Sequence, residues 1–263
     1  MKADELFKAG RLQEAIDAQL QEVKANPGDP ARRLFLFELS VFAGDLDRAR
    51  RQIDAIQYQE MELDAAVSAY RKLVDVEATR RRLLAEGLTP QFLNEPPEHA
   101  KLRLEAINRL RENRNGEANE LLEKAMAAAP TLRGQFNDKP FETLRDADDL
   151  FATVLEVVGQ GVYYWVPFEE IELLQCKPPR FPRDLIWFPA RLQLRSGPAG
   201  DVVLPALYPG SHEHADVQVK LGRATDWKAA EGGPTLGAGL RTFLVGDDAV
   251  SLLEWRQLQF QPG

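Results

Sequence analysis

Apolar side chains recur every three or four residues through the start of the chain. Leu6, Ala9, Leu12, Ala15, Ile16, Leu20 and Val23 keep this spacing, which puts them on one face of amphipathic helices. Gly10 breaks the run, so residues 3–25 read as a helix pair, closed by the turn-forming Asn26-Pro27-Gly28-Asp29-Pro30. The pattern then repeats. Ala9-Gly10-Arg11-Leu12-Gln13-Glu14-Ala15 and Ala43-Gly44-Asp45-Leu46-Asp47-Arg48-Ala49 share Ala-Gly-x-Leu-x-x-Ala at an offset of 34 residues, the period of a tetratricopeptide repeat. Pro27 follows Ala15 by twelve residues and Pro130 follows Ala118 by the same distance, which marks a third copy. Asn113 stands there where the first copy has Gly10, and asparagine is the next-best residue for a left-handed turn.

The first helix of the second copy, about residues 31–43, carries apolar groups almost all round: Leu34, Phe35, Leu36, Phe37, Leu39, Val41 and Phe42. Such a helix is either fully buried or lends one face to a partner. Mapped on the repeat, the concave-groove positions are Leu34, Glu38, Val41 and Phe42, the candidate protein-binding residues. A long helix from about Leu63 to Glu86, ended by Gly87, and the prolines between 89 and 97 interrupt the array. The third pair runs from His99 to about Ala129, with His99 expected as a cap or a solvated residue.

After Pro130 the period shifts from helix to strand. Asp148 to Val158 still reads as helix, but short strands are expected at 162–167, 184–188, 191–194, 201–204, 214–221 and 241–245, with 252–260 a strand or short helix. Turn signals separate them at Ser196-Gly197-Pro198, Pro209-Gly210 and Gly232-Gly233-Pro234. The expected class is α+β: tetratricopeptide-like helical repeats over 1–145, then a small, mainly antiparallel β domain over 146–263.

Charge and composition narrow the function. The net charge of −8 disfavours nucleic acid and anionic membrane as partners, and the basic run Arg80-Arg81-Arg82 reads as a solvated helix face. No run reaches the roughly 18 apolar residues of a membrane span, and the N-terminus lacks a signal-peptide core, so a cytoplasmic location is expected. The single cysteine, Cys176, allows neither an intrachain disulfide nor a cysteine-based metal site. His212 and His214 with Asp216 offer the best case for a metal-dependent enzyme, because His-x-His on a strand turns both rings to one side. A third strong ligand is not identifiable. Adjacent acids such as Asp148-Asp149 do not converge on one substrate and read as caps or turns. No phosphate-binding Gly-x-x-x-x-Gly-Lys-Ser/Thr occurs, and no cofactor is expected.

Three blocks in the C-terminal half carry a resemblance. Gly161-Val162-Tyr163-Tyr164-Trp165-Val166-Pro167-Phe168, Asp184-Leu185-Ile186-Trp187-Phe188-Pro189-Ala190 and Leu204-Pro205-Ala206-Leu207-Tyr208-Pro209-Gly210 resemble, in order, the ImpE family. These are accessory proteins of the bacterial type VI secretion system, also called TagJ or SciE-type proteins. The resemblance spans essentially the whole chain. It implies a non-enzymatic adaptor with no catalytic residue, one that binds a helix of the small contractile-sheath subunit and links the sheath to the AAA+ unfoldase ClpV. The repeats taken alone would equally suit a generic protein-interaction scaffold.

Overall fold

Both N-terminal repeat units form as the spacing predicts: α1 (Ala3–Lys8) with α2 (Leu12–Ala25), then α3 (Pro30–Phe42) with α4 (Leu46–Asp54). Local chemistry sets their ends. The Asp29 carboxylate accepts from the Ala31 and Arg32 amides, and Pro30 takes the first helical position of α3. Gly10 and Gly44 turn the chain with φ of +76° and +79°, and Asn113 does the same in the third unit at +58°. That unit is α6 (Glu98–Arg111) with α7 (Asn115–Ala128), and the 26-residue α5 (Met61–Glu86) lies between the second and third pairs.

The structure, a computed structural model, describes residues 1–197 and 199–261; Pro198 of the Ser196-Gly197-Pro198 turn signal lies outside the described residues. Strands follow α7 in the order β1 (Gly134–Phe136), β2 (Lys139–Phe141), β3 (Leu144–Asp146), β4 (Val154–Gly159), β5 (Val162–Pro167), β6 (Ile171–Cys176), β7 (Trp187–Leu194) and β8 (Ala199–Pro205). A one-turn helix, α8 (Val217–Lys220), precedes β9 (Thr225–Ala229), β10 (Thr235–Gly239), β11 (Thr242–Val245), β12 (Asp248–Ser251) and β13 (Gln257–Phe260). The large sheet runs β2-β1-β13-β6-β7-β8-β4-β5, a smaller one runs β12-β11-β3, and β9 and β10 form a hairpin. Every pairing between these strands is antiparallel, and the class is α+β.

One face of the large sheet closes on the small sheet through Phe168, Leu174, Phe188, Leu204, Phe243 and Leu258. The other face sends Val158, Tyr163, Trp165 and Trp187 into the same cluster as Ile16, Phe37, Phe42 and Leu83 from the helices. One apolar interior therefore runs from the repeats into the sheet. The interrupting segment contributes as well: Gln91 bridges β5 beside Tyr164, donating to the Tyr163 carbonyl (3.1 Å) and accepting from the Trp165 amide (3.0 Å). This covers an edge strand that would otherwise present unpaired amides.

Four local expectations are corrected. Residues 148–153 are turn and Val154–Gly159 is β4, not helix; its first five side chains are all buried, so it shows no alternation to read. Residues 217–220 form α8 rather than a strand, because the Asp216 carboxylate caps the turn at the Gln218 amide (2.8 Å). Asp184 belongs to a 3-10 turn, where its carboxylate accepts from the Arg180 and Phe181 amides, and the two strands expected at 184–188 and 191–194 are one, β7. The last segment holds both expected forms, a 3-10 turn at Leu252–Glu254 and then β13.

Candidate protein-interaction site

The candidate groove residues lie on α3, and the chain itself covers three of the four. Leu34 is half-buried, while Glu38, Val41 and Phe42 are 3%, 4% and 1% exposed. Arg183, on the 3-10 turn before β7, reaches the Glu38 carboxylate at 2.6 Å and donates from Nε to the Tyr70 hydroxyl at 2.7 Å. Burial pushes the Glu38 carboxyl up from its ordinary value, and the Arg183 guanidinium opposes the rise. Trp187 stacks on Phe37 with ring centroids 6.1 Å apart. Val41 and Phe42 border a void of about 30 Å³ shared with Leu207, Ser211 and His212.

The repeat turns are contact points too. Arg223 donates to the carbonyls of Phe7 (2.7 Å) and Lys8 (2.9 Å) at the end of α1, and Arg81 donates to the Gly44 carbonyl (2.8 Å) at the end of α3. These guanidiniums add donors at helix ends, where the Phe7 carbonyl also accepts from the Gly10 amide and the Gly44 carbonyl from the Leu46 amide. His212 lies directly over Gly44, where any added Cβ would strike its ring.

The metal reading of the histidines does not match this geometry. His212 sits in a 3-10 turn, Ser211–Glu213, so the two rings do not share a strand face. His214 has both nitrogens engaged: Nδ1 accepts from the Asp216 amide and Nε2 meets the Asp226 carboxylate, each at 3.0 Å. Among the described residues no group of three or more His, Cys, Asp and Glu is arranged to hold a metal ion. His99 is neither cap nor solvated, at 1% exposure. Arg103 donates to the Thr153 hydroxyl (2.9 Å), which meets His99 Nδ1 (2.9 Å), while His99 Nε2 meets the Glu169 carboxylate (2.7 Å).

Arg80, read as part of a solvated face, is 3% exposed and anchors a buried charge network. It grips Glu156 of β4 through Nε (2.7 Å) and a terminal nitrogen (2.8 Å), and donates to the Leu207 carbonyl (2.7 Å). Arg241 bridges Glu156 and Asp146, and Tyr163 and Tyr208 donate to the same two acids. Burial raises the Glu156 carboxyl, but Arg80 and Arg241 outweigh it and hold the group below its ordinary value. These acids are locked in structural pairs. The signal available in the sequence was a charged residue inside an otherwise apolar strand, Glu156 between Leu155 and Val157; Asp146, between Arg145 and Ala147, carries none.

A family model described as ImpE protein matches residues 138–259. Over 266 aligned residues, all of this chain and 92% of the relative, the chain is 37% identical to the type VI secretion system accessory component TagJ of Pseudomonas aeruginosa. The chain belongs to the ImpE family. The crystal structure of protein VPA1032 from Vibrio parahaemolyticus matches this ImpE-family chain with a TM-score of 0.90 at 26% identity, over 99% of this chain and 98% of that one. Asp146, Glu156, Tyr208 and Arg241 fall within the family-model span, whereas Glu38, Gly44 and Arg80 precede it. Among the described residues no helix of this ImpE-family chain is long and apolar enough to cross a membrane.

Proposed function

We propose that the chain is a non-enzymatic adaptor of a bacterial type VI secretion system, working in the cytoplasm. It binds a helix of the small contractile-sheath subunit and links the sheath to the ClpV unfoldase. The observation that carries this reading is the full-length relationship to the TagJ accessory component, which takes in helical and β halves together. The side-chain chemistry supports it. Glu156 and Asp146 are taken up by Arg80 and Arg241, and burial pushes the Cys176 thiol up to about 12, where it stays protonated at neutral pH. The test is calorimetric titration of the purified full chain with the small sheath subunit of the same bacterium, followed by addition of ClpV. Saturable binding and a three-component complex are expected. A chain that binds neither protein would end the adaptor reading.

A further inference from the structure

A cleft of about 920 Å³ opens between α5 and the helix-facing side of the large sheet. One wall is a single face of α5, on which Ala65, Ser68, Ala69 and Lys72 follow at three- and four-residue spacing. Met61, one turn earlier on that face, is 87% exposed and prolongs the wall. Strand register builds the floor. Val158 of β4 pairs with Val203 of β8, which pairs with Pro189 of β7, giving an apolar row. The next row is polar, with Asp201 of β8 opposite Arg191 of β7 and Arg191 opposite Gln175 of β6. Here α5 stands beside an open sheet face, and in layered folds such a face is filled by a second helix at about 8–10 Å from the first.

Charge selects the kind of helix. Lys72, Lys177 and Arg191 line the cleft against Asp201, whose carboxylate already meets Arg191 at 3.3 Å. Two lysine charges remain over in a chain whose net charge is −8. The small side chains of Ala65, Ser68 and Ala69 let a second helix approach closely, and α5 from Met61 to Lys72 is about 17 Å long at 1.5 Å per residue, or three turns.

We propose that this cleft, rather than the covered candidate residues of α3, seats the partner helix. The occupant is an amphipathic helix of about three turns, apolar toward Val158, Val203 and Ala69 and acidic toward Lys72 and Lys177. The assignment rests on the adaptor reading above. Its test uses the full chain with the small sheath subunit as probe, comparing the parent with Ala69→Trp, with the pair Lys72→Glu and Lys177→Glu, and with Lys139→Glu on β2 at the far side of the sheet. All four positions are exposed, so circular dichroism and melting should match the parent. The two cleft variants should weaken binding by roughly tenfold or more, through steric filling in one and like-charge contact in the other, while Lys139→Glu binds as the parent does. If the parent binds and folded cleft variants bind equally well, the cleft is wrong and the adaptor reading stands. If the parent itself does not bind, both fall. If instead the parent sediments as a dimer that Ala69→Trp dissociates, the occupant is a second copy of the chain and the proposal is overturned.

Discussion

At the scale of single residues, the strongest constraints are charges taken out of water. Glu156 faces both Arg80 and Arg241, so replacing it with glutamine removes the charge the two buried guanidiniums share and leaves Arg241 only Asp146 and Arg80 only Glu77. Glu156→Gln should lower unfolding stability by about 3–5 kcal/mol in urea titrations, while Glu86→Gln, which breaks the exposed pair with Arg82, should leave the midpoint unmoved. Asp148 responds to pH in the opposite sense to a salt-bridged acid. Burial, and then the neighbouring Asp146 charge, push its carboxyl up to about 7. The folded chain therefore keeps a proton that the unfolded chain has already lost near pH 4, and stability falls as pH rises from about 4 to about 7. Denaturant midpoints at pH 5 and 7.5 should differ by less in Asp148→Asn than in the parent; equal differences would exclude Asp148 as the cause. The sequence carried half of this. Asp148 does serve a turn, accepting from the Leu150 amide at 2.8 Å, but it also accepts from the Gly237 amide, 89 residues away, and no local pattern encodes that.

At the scale of elements, legibility follows how local the determining contacts are. The helix pairs were readable because their spacing, their Asp29 cap and their left-handed turns at Gly10, Gly44 and Asn113 all lie within a few residues of what they determine. β4 and α8 were not, since burial on both faces in one and a single cap in the other decided the outcome. Nor does Ala-Gly-x-Leu say what stands over its glycine. Gly44→Ala meets two costs: about 1–2 kcal/mol for a left-handed non-glycine residue, and displacement of the His212 ring. In a double-mutant cycle His212→Ala should relieve the second cost and leave the first. Additive single effects would mean that the imidazole yields freely, and that the repeat turn is not a junction between the halves.

At the scale of the whole molecule, the division between repeats and β strands is one of architecture, and the core does not respect it. Ile186, Trp187, Leu207 and Tyr208 share a cluster with Phe37, Phe42, Val74 and Leu83. The groove candidates all lie on α3, where Trp187 packs on the neighbouring Phe37 and Glu38 pairs with Arg183. Helices in a repeat draw most of their stability from packed neighbours, so stripping the sheet away exposes Phe37 and leaves Glu38 without its cation. A fragment of residues 1–131 should therefore keep helical dichroism yet melt without a sharp transition and bind a hydrophobic dye, whereas the full chain melts cooperatively and does not. A fragment that unfolds as sharply as the full chain, at the same temperature, would establish that the repeats are an independent domain and that the sheet merely rests on them.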